Sequence, residues 1–520
     1  MRTPLRVKTI PRGEVSVVKS YPSPVGGWNA KDSLGAMKPI DAIALENWFP
    51  STSYVEIRGG YVNHATAMTG NGKTLAVHNA ITGTNKMFCS TASGVFNVTA
   101  AGAVGASVAS RTSGKHQWTM FGDGTNSWLI MANGVDKPLY YDGTTWVVVD
   151  AASSPALTGL TTTEIIGVNV HKGRLFFIQK NTLAVWYLAA GAAGGALTKF
   201  DLQGEAKKGG YLMAMATWTR DAGDGADDVA VFITSEGEAI VYQGNNPSVA
   251  ANWVKIGSYY IGKPLGRKCA TQFGGDVIIL TENGTFPLSA AMQSATIDYK
   301  LALSFKIENA FTAQARNSGS AFGWSATIFP ARAAMVVNVP INEDGEHEQY
   351  VMNTITKAWC KFKEWDAEDF AILNGELYFT TSNKVVKAWT GAIDGANNIV
   401  AYAKTAFNYF DAPGLQKQYK MFRPVMAVNG NVTFLTDIDV DFQDGLVSGT
   451  TTYTTASSGK WDAAIWDASY WSAGLETIKN WTSPNEWQGY CAAGKIKIET
   501  NLLTVQWMSY DMMYEKGGML

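Results

Sequence analysis

The sequence predicts an all-β protein centred on a β-propeller of about seven blades, with six to eight compatible with the spacing. A repeat of about 40–50 residues with about four strands is typical of propeller blades, because one small sheet cannot bury both faces until neighbours stack on it. Strand-length apolar runs recur at steps of 42, 46, 54, 48, 58 and 42 residues. They begin near Met87, Leu129, Leu175, Val229, Val277, Met335 and Leu377.

Residues 128–149 show one repeat in its simplest form. Three short apolar runs follow one another, closed by Asn133-Gly134 and Asp142-Gly143. These dipeptides supply the positive φ angles that tight hairpins need, so local chemistry predicts three antiparallel strands.

Composition supports many short strands rather than disorder or long helices. The 520 residues include 52 Gly and 18 Trp, and only 17% are charged. The net charge of −2 argues against electrostatic binding of nucleic acid, which normally requires a strongly basic domain. Any contact with DNA is therefore expected to be weak and unspecific.

The four cysteines are far apart, with no Cys-x-x-Cys pair, at positions Cys89, Cys269, Cys360 and Cys491. This spacing predicts buried free thiols rather than a zinc site or a disulfide framework. No cofactor or metal is predicted. The N-terminus lacks a continuous apolar segment, so we expect neither a signal peptide nor a membrane span.

Three domains follow from the pattern: residues 1–65, 66–397 and 398–520. The first is predicted to be an extended, proline-containing arm followed by a short helix within residues 32–48 and a first strand. Ile40, Ile43, Ala44 and Trp48 stand at helical spacing there. The last domain is predicted to be an antiparallel sandwich or sheet, with long alternating strands around Asn429-Gly430 and near the C-terminus.

Four stretches, in this order, resemble the tail nozzle proteins of short-tailed bacteriophages, including those described as packaged-DNA stabilisation proteins. The first is GGWNAKDSLGAMKPIDAIALENWFPSTSYVEIRGGY, residues 26–61, with its Asn-x-x-Pro segment and Arg-Gly-Gly motif. The others are residues 132–146, 168–178 and 418–434. None of these motifs is catalytic.

The resemblance implies a structural virion protein rather than an enzyme. It implies a sixfold ring beneath the portal and adaptor proteins, through which double-stranded DNA passes without specific binding and which helps to retain the packaged genome. Contacts with a tail fibre or needle, assembly in the bacterial host cytoplasm and no membrane insertion complete this expectation. The N-terminal arm, the Trp-rich segment or the C-terminal sheet is expected to contact neighbours.

A Trp-rich insertion spans residues 447–490 and carries Trp461, Trp466, Trp471, Trp481 and Trp487. It fits a satellite core, a docking surface for a neighbouring subunit or fibre, or a platform that stacks on sugars. The alternative function, a carbohydrate-binding or glycan-hydrolysing propeller, depends on this segment.

Two acidic segments are candidate channel-facing surfaces. Asp437, Asp439 and Asp441 alternate in a predicted strand and so share a face, which we expect to meet solvent, a cation or a channel because three like charges repel. The second segment, residues 221–228, interrupts a strand pair with Asp221, Asp224, Asp227 and Asp228. It fits no calcium motif and is interpreted as a solvated loop.

Catalytic motifs are not supported. Residues 70–74, GNGKT, end like a phosphate-binding loop, but Ala67 replaces the first glycine that the motif requires. The five histidines lie in different repeats, and no G-x-S-x-G or H-E-x-x-H is present. A propeller glycosidase needs two carboxylates close to the axis; Asp136 and Asp228 fit no better than many others.

Overall fold

The structure is a computed structural model that describes residues 16–219, 228–292, 298–343, 345–447, 449–453, 475–483, 487–500 and 502–517. These residues are mostly β-strand and form two compact units. The propeller unit is Arg58–Asn397, and the terminal unit combines the segments Met1–Ile57 and Asn398–Leu520.

The N-terminal segment contributes five strands to the terminal unit: β1 (Val17–Pro22), β2 (Gly27–Trp28), β3 (Asp41–Glu46), β4 (Trp48–Pro50) and β5 (Val55–Ile57).

The predicted helix within residues 32–48 is wrong, because this stretch forms β3 and β4. In β3 the register shifts between Ala42 and Ala44, which is the signature of a β-bulge. Of the four residues that suggested the helix, Ile40 is exposed, Ile43 and Ala44 are half-buried and Trp48 is buried, so their spacing does not correspond to one buried face.

The propeller begins with β6 (Tyr61–Thr66). Four antiparallel blades of three or four strands follow it. Their strands are β7 (Thr74–His78), β8 (Lys86–Ser90), β9 (Val95–Asn97); β11 (Gln117–Gly122), β12 (Ser127–Ala132), β13 (Leu139–Tyr141), β14 (Trp146–Val148); β16 (Ile165–His171), β17 (Arg174–Gln179), β18 (Ala184–Tyr187), β20 (Thr198–Asp201); and β21 (Leu212–Trp218), β22 (Val229–Thr234), β23 (Glu238–Gly244), β24 (Trp253–Tyr260).

Three further blades bring the number to seven within the described residues. Their strands are β25 (Ala270–Phe273), β26 (Asp276–Thr281), β27 (Gly284–Pro287); β28 (Ser325–Phe329), β29 (Ala334–Pro340), β30 (His347–Asn353), β31 (Trp359–Phe362); and β32 (Asp369–Leu373), β33 (Glu376–Thr381), β34 (Lys384–Ala388).

Short elements connect the blades. They are β10 (Gly102–Ala103), β15 (Leu157–Thr158), β19 (Gly195–Ala196), β35 (Ile393–Asp394), the helices α1 (Leu288–Ala291) and α2 (Glu308–Ser318), and the 3₁₀ turns Thr162–Glu164, Ala250–Asn252, Tyr299–Leu301, Phe305–Ile307 and Pro330–Arg332.

The seventh blade takes its outer strand from the start of the propeller sequence. β6 pairs antiparallel with β34, with Tyr61 opposite Ala388 and Ala65 opposite Val385. The innermost strands β7, β11, β16, β21, β25, β28 and β32 follow one another around the axis. This pairing closes the ring and removes the sheet edges that an open array would expose.

The sequence repeat is confirmed at the level of strands. Each of the seven predicted starting points falls in the second strand of a blade, from Met87 in β8 to Leu377 in β33. The predicted meander of residues 128–149 is also present as β12, β13 and β14. The second strand is buried by neighbouring blades on both faces, which explains why it has the clearest apolar signal.

The hydrophobic core lies between adjacent blades. Ile130 and Tyr140 of the second blade pack with Ile165 and Phe177 of the third in one continuous cluster. All four cysteines are free and buried, as predicted. Burial raises the pKa of Cys89 and of Cys269 to about 12, so these thiols stay protonated at neutral pH.

A buried ion pair joins the two ends of the propeller sequence. Arg58 donates from Nη1 to Asp394 Oδ1 at 2.8 Å and from Nη2 to Oδ2 at 2.6 Å. Both side chains are almost fully buried, at 0% and 3% exposure. Next to Arg58, a Cβ on Gly60 would lie 1.8 Å from the carbonyl oxygen of Ile393, so this position admits only glycine.

The C-terminal segment adds eight strands to the terminal unit: β36 (Asn397–Thr405), β37 (Lys417–Val428), β38 (Val432–Val440), β39 (Gly449–Tyr453), β40 (Glu476–Ile478), β41 (Trp487–Gly489), β42 (Ala492–Thr500) and β43 (Val505–Lys516).

Two sheets make up the terminal unit. One contains β1, β4, β5, β37, β40, β41 and β43, and the other contains β2, β3, β36, β38, β39 and β42. The strands on either side of Asn429-Gly430 exist as predicted, but β37 and β38 belong to different sheets. The two sheets meet where Phe422 lies against Gly494, whose Cβ would come within 2.5 Å of the ring.

Candidate functional site

The three alternating aspartates do not form a common wet face. Asp437 and Asp439 are 3% and 5% exposed in β38. Asp441 lies beyond the end of the strand with φ 47° and is exposed. Its carboxylate accepts hydrogen bonds from the backbone N–H groups of Tyr490 at 2.8 Å and Cys491 at 3.2 Å. Asp441 therefore has a local structural role.

Two lysines neutralise Asp439. Lys404 Nζ lies 2.7 Å from Asp439 Oδ2, and Lys495 Nζ lies 2.7 Å from Oδ1, with both lysine side chains buried. Lys404, Lys495 and Asp437 are register neighbours across β36, β42 and β38. The expectation of a solvent-facing or channel-facing surface is wrong for Asp437 and Asp439, because lysines from adjacent strands cover the same face.

The second acidic segment is described only at its end. Asp221, Asp224 and Asp227 lie outside the described residues. Asp228 is 6% exposed and directly precedes β22. The interpretation as a solvated or channel-facing loop is therefore wrong for Asp228, which the blade buries.

The predicted aromatic surface is also described in part. Trp461, Trp466 and Trp471 lie outside the described residues. Trp481 is half-buried, with Arg423 Cζ 4.5 Å from its ring centroid. Trp487, in β41, and Tyr490 are each 37% exposed. Aromatic surface thus remains accessible on this part of the terminal unit.

The most developed site lies at one end of the propeller axis. A cleft of about 350 Å³ opens there, and we call it the axial cleft. It is lined mainly by segments that precede or begin innermost strands. These are residues 113–117, 266–268, 320–324 and 368–369, together with Asn133 and Glu343.

One wall of the axial cleft is a rigid neutral network. His116 is 2% exposed, with Nδ1 2.9 Å from Ser90 Oγ and Nε2 3.3 Å from Asn133 Nδ2. Burial lowers the pKa of His116 to about 4. Since Nε2 accepts from the Asn133 amide, the proton of the neutral ring lies on Nδ1 and is donated to Ser90.

Three lysine–carboxylate pairs surround the cleft. Lys268 Nζ lies 2.6 Å from Asp369 Oδ2, and Lys115 Nζ lies 2.6 Å from Glu343 Oε1. Lys73 pairs with Glu368. The charges of these six residues cancel in pairs.

Arg267 is the cation of the cleft without a carboxylate partner among the described residues. Arg267 Nη1 donates to the carbonyl oxygen of Asn133 at 3.3 Å. Burial lowers its pKa, but a guanidinium keeps its charge at neutral pH. The cleft therefore holds one positive charge that no protein anion in the described residues neutralises.

Two buried polar atoms in or near the cleft lack a hydrogen-bond partner within the described residues. They are Glu368 Oε2 and His347 Nε2, which lie 3.9 Å apart, and their side chains are 9% and 0% exposed. Glu368 lines the cleft, and an unsatisfied polar atom costs about 1–3 kcal/mol when buried, so its Oε2 marks a place for a donor.

The axial cleft was not identified from the sequence, because its residues come from separate blades. One signal was present. Lys73, Lys115, Lys268 and Glu368 each stand one or two positions before an innermost strand. Aligning the repeats by their strands would have gathered these charges at one end of the axis.

No group of three or more His, Cys, Asp or Glu side chains among the described residues is arranged to hold a metal ion. No helix among them has both the length and the apolar character needed to cross a membrane.

Comparison with known proteins finds likenesses among solved structures. No family model matches this sequence. No curated protein matches it either. A solved structure described as "YCF48 bound to D1 peptide" has a TM-score of 0.38 and 8% identity, covering 67% of this chain and 98% of that one.

Proposed function

We propose that this chain is a structural virion protein, one subunit of a ring-shaped tail nozzle or hub of a short-tailed bacteriophage. The observation that carries the proposal is where the residues of the sequence resemblance fall. They lie at positions that determine the fold. In a family of enzymes, the shared motifs would instead surround a reactive group.

The Arg-Gly-Gly motif illustrates this. Arg58 binds Asp394 in the buried ion pair, and Gly59 and Gly60 lie against Trp389 and Ile393, so that a Cβ at either position would clash. The motif thus lies at the beginning of the propeller sequence and contacts the residues at the end of that sequence. The resembling stretch 132–146 includes β13 and the start of β14, which pair in the second blade, and 168–178 includes most of the β16–β17 pair of the third blade.

The terminal unit supports a role in an assembly that is placed under force. β43 pairs with β1 along Val17–Pro22 and also with β37 and β5. A strand from the N-terminal segment and one from the C-terminal segment are therefore held in one sheet. Their backbone pairing resists separation of the two segments under force.

The proposed partners follow the resemblance. Six copies form a closed ring, which needs two different complementary patches on each subunit. The ring binds the adaptor and portal complex, contacts a fibre or needle, and lets double-stranded DNA pass during ejection. The chain carries out no chemical reaction in this proposal, and it resides in the virion tail after assembly in the host cytoplasm.

Electron microscopy of the purified chain, alone and with tail components from the same source, tests the proposal. We expect rings with an open bore wide enough for duplex DNA. Discs that never assemble, even with partners, would contradict it. Trp487→Glu, at an exposed aromatic of the terminal unit, is expected to impair assembly. Ile355→Glu, at a 69% exposed position of the propeller unit, is the matched control.

The carbohydrate-binding alternative remains a prediction. It places its ligand on the Trp-rich segment, where Trp461, Trp466 and Trp471 lie outside the described residues. Loss of glycan binding in Trp466→Ala would favour it.

A further inference from the structure

The axial cleft of the propeller unit has the chemistry of a small-molecule site. Its volume of about 350 Å³ lies within the range of ligand pockets, about 300–1,000 Å³. Its walls combine a fixed neutral network, one uncompensated cation and a half-buried aromatic ring, Phe322. We propose that the axial cleft binds a carboxylate-bearing sugar, with Arg267 holding the carboxylate.

The cation determines the charged part of the ligand. A guanidinium presents a planar pair of N–H donors that matches a carboxylate. Within the described residues Arg267 makes one hydrogen bond, to Asn133, so other donors of its guanidinium are available to a ligand. Three carboxylates, Glu343, Glu368 and Asp369, also line the cleft. Each of them is paired with a lysine, so the cleft keeps one uncompensated positive charge. A monoanion neutralises that charge, whereas a dianion such as phosphate brings a second, unmatched negative charge into the buried site, so a single carboxylate fits best.

The acceptors determine the rest of the ligand. Glu368 Oε2, buried and without a hydrogen-bond partner within the described residues, needs a donor such as a hydroxyl group. Lys115 Nζ lies over one face of the Phe322 ring, 5.2 Å from its centroid. The backbone N–H of Phe322 donates to Glu343 Oε2 at 3.0 Å. The opposite face of this half-buried ring is the flat apolar surface that we assign to the C–H face of a sugar.

Calorimetric titration of the full chain with D-glucuronate, D-glucose and inorganic phosphate tests the proposal. D-Glucuronate is expected to bind saturably and at least about tenfold more tightly than either of the others. D-Glucose lacks the carboxylate that Arg267 would bind, and inorganic phosphate lacks the sugar ring. Absence of D-glucuronate binding, or equal binding of D-glucose, overturns the proposal.

Substitutions in the axial cleft test whether D-glucuronate binds there. Arg267→Gln is expected to weaken D-glucuronate at least about tenfold, the loss typical of removing one charged hydrogen-bond partner. Arg332→Gln, at an exposed arginine of the same unit, should leave the affinity unchanged. If Arg267→Gln does not fold, Phe322→Ala decides, with an expected loss of about threefold to tenfold. Unchanged affinity in the folded variant overturns the proposal.

Discussion

Arg58 and Asp394 lie 336 positions apart in the sequence and form a bidentate ion pair inside the propeller unit. The guanidinium also lies 4.9 Å from the ring centroid of Trp365 and donates to the carbonyl oxygen of Lys363 at 2.7 Å. These contacts satisfy both charges without water. The pair therefore fixes the beginning of the propeller sequence against its end.

Removing one partner of this pair is expected to destabilise the propeller strongly. Asp394→Asn leaves a buried guanidinium without its anion, which costs about 3–5 kcal/mol of unfolding free energy. Chemical denaturation followed by hydrogen exchange of the blade strands measures this. Glu376→Gln, which breaks the exposed Lys387–Glu376 pair, is the control and should cost less than about 1 kcal/mol. Equal losses in the two variants would contradict the prediction.

The glycine beside Arg58 gives a second prediction. Gly60→Ala places a methyl group where the carbonyl of Ile393 lies, and backbone cannot move as a side-chain end can. We expect a loss of at least about 3 kcal/mol or failure to fold. Gly105→Ala, where no atom lies within 4 Å of the added Cβ, should change stability by less than about 1 kcal/mol.

In the terminal unit, stability is expected to depend on Asp439. Asp439→Asn leaves Lys404 and Lys495 buried beside each other with their shared carboxylate gone, at a cost of about 3–5 kcal/mol. Asp444 also pairs with Lys404 but is 79% exposed, so Asp444→Asn should cost no more than about 1 kcal/mol. Hydrogen exchange in β38 and β42 reports the loss. Protection that survives in Asp439→Asn would show that the lysines find other partners.

His116 predicts a dependence of stability on pH. Its pKa is about 4 in the folded protein and near 6.5 when unfolded. Between these values the unfolded chain binds a proton that the folded chain does not, so stability is complete above pH 6.5 and falls as the pH drops towards 4. The total is about 3 kcal/mol. His116→Gln should flatten unfolding free energy against pH in this window, and an unchanged slope would contradict the assignment.

The sequence predicted the fold class well because blade strands carry their own signals. The second strand of each blade has a mainly apolar centre, and turns such as Asn133-Gly134 and Asp142-Gly143 follow blade strands. Which strands pair with each other was harder to predict from the sequence. β37 and β38 flank Asn429-Gly430 yet pair with different strands, since pairing depends on burial that only the assembled sheets define.

The site residues were harder to predict for the same reason. In the sequence, Asp439 is one of three alternating aspartates that are expected to repel one another. In the structure, Lys404 and Lys495, which are distant in sequence, form ion pairs with it from adjacent strands. Arg267 belongs to no motif, and its significance arises from Asn133, Glu368 and Asp369 on other blades. The local spacing of residues does not show which distant residues will be in contact.

The pairing of β6 with β34 has a consequence for synthesis. Residues 67–383 separate these strands, so a ribosome adding about 5–20 residues per second takes roughly 15–65 s to deliver the second after the first. Throughout that interval β6 has an unsatisfied edge and the nascent ring stays open. The chain must keep this early strand from pairing with another polypeptide until translation supplies its own.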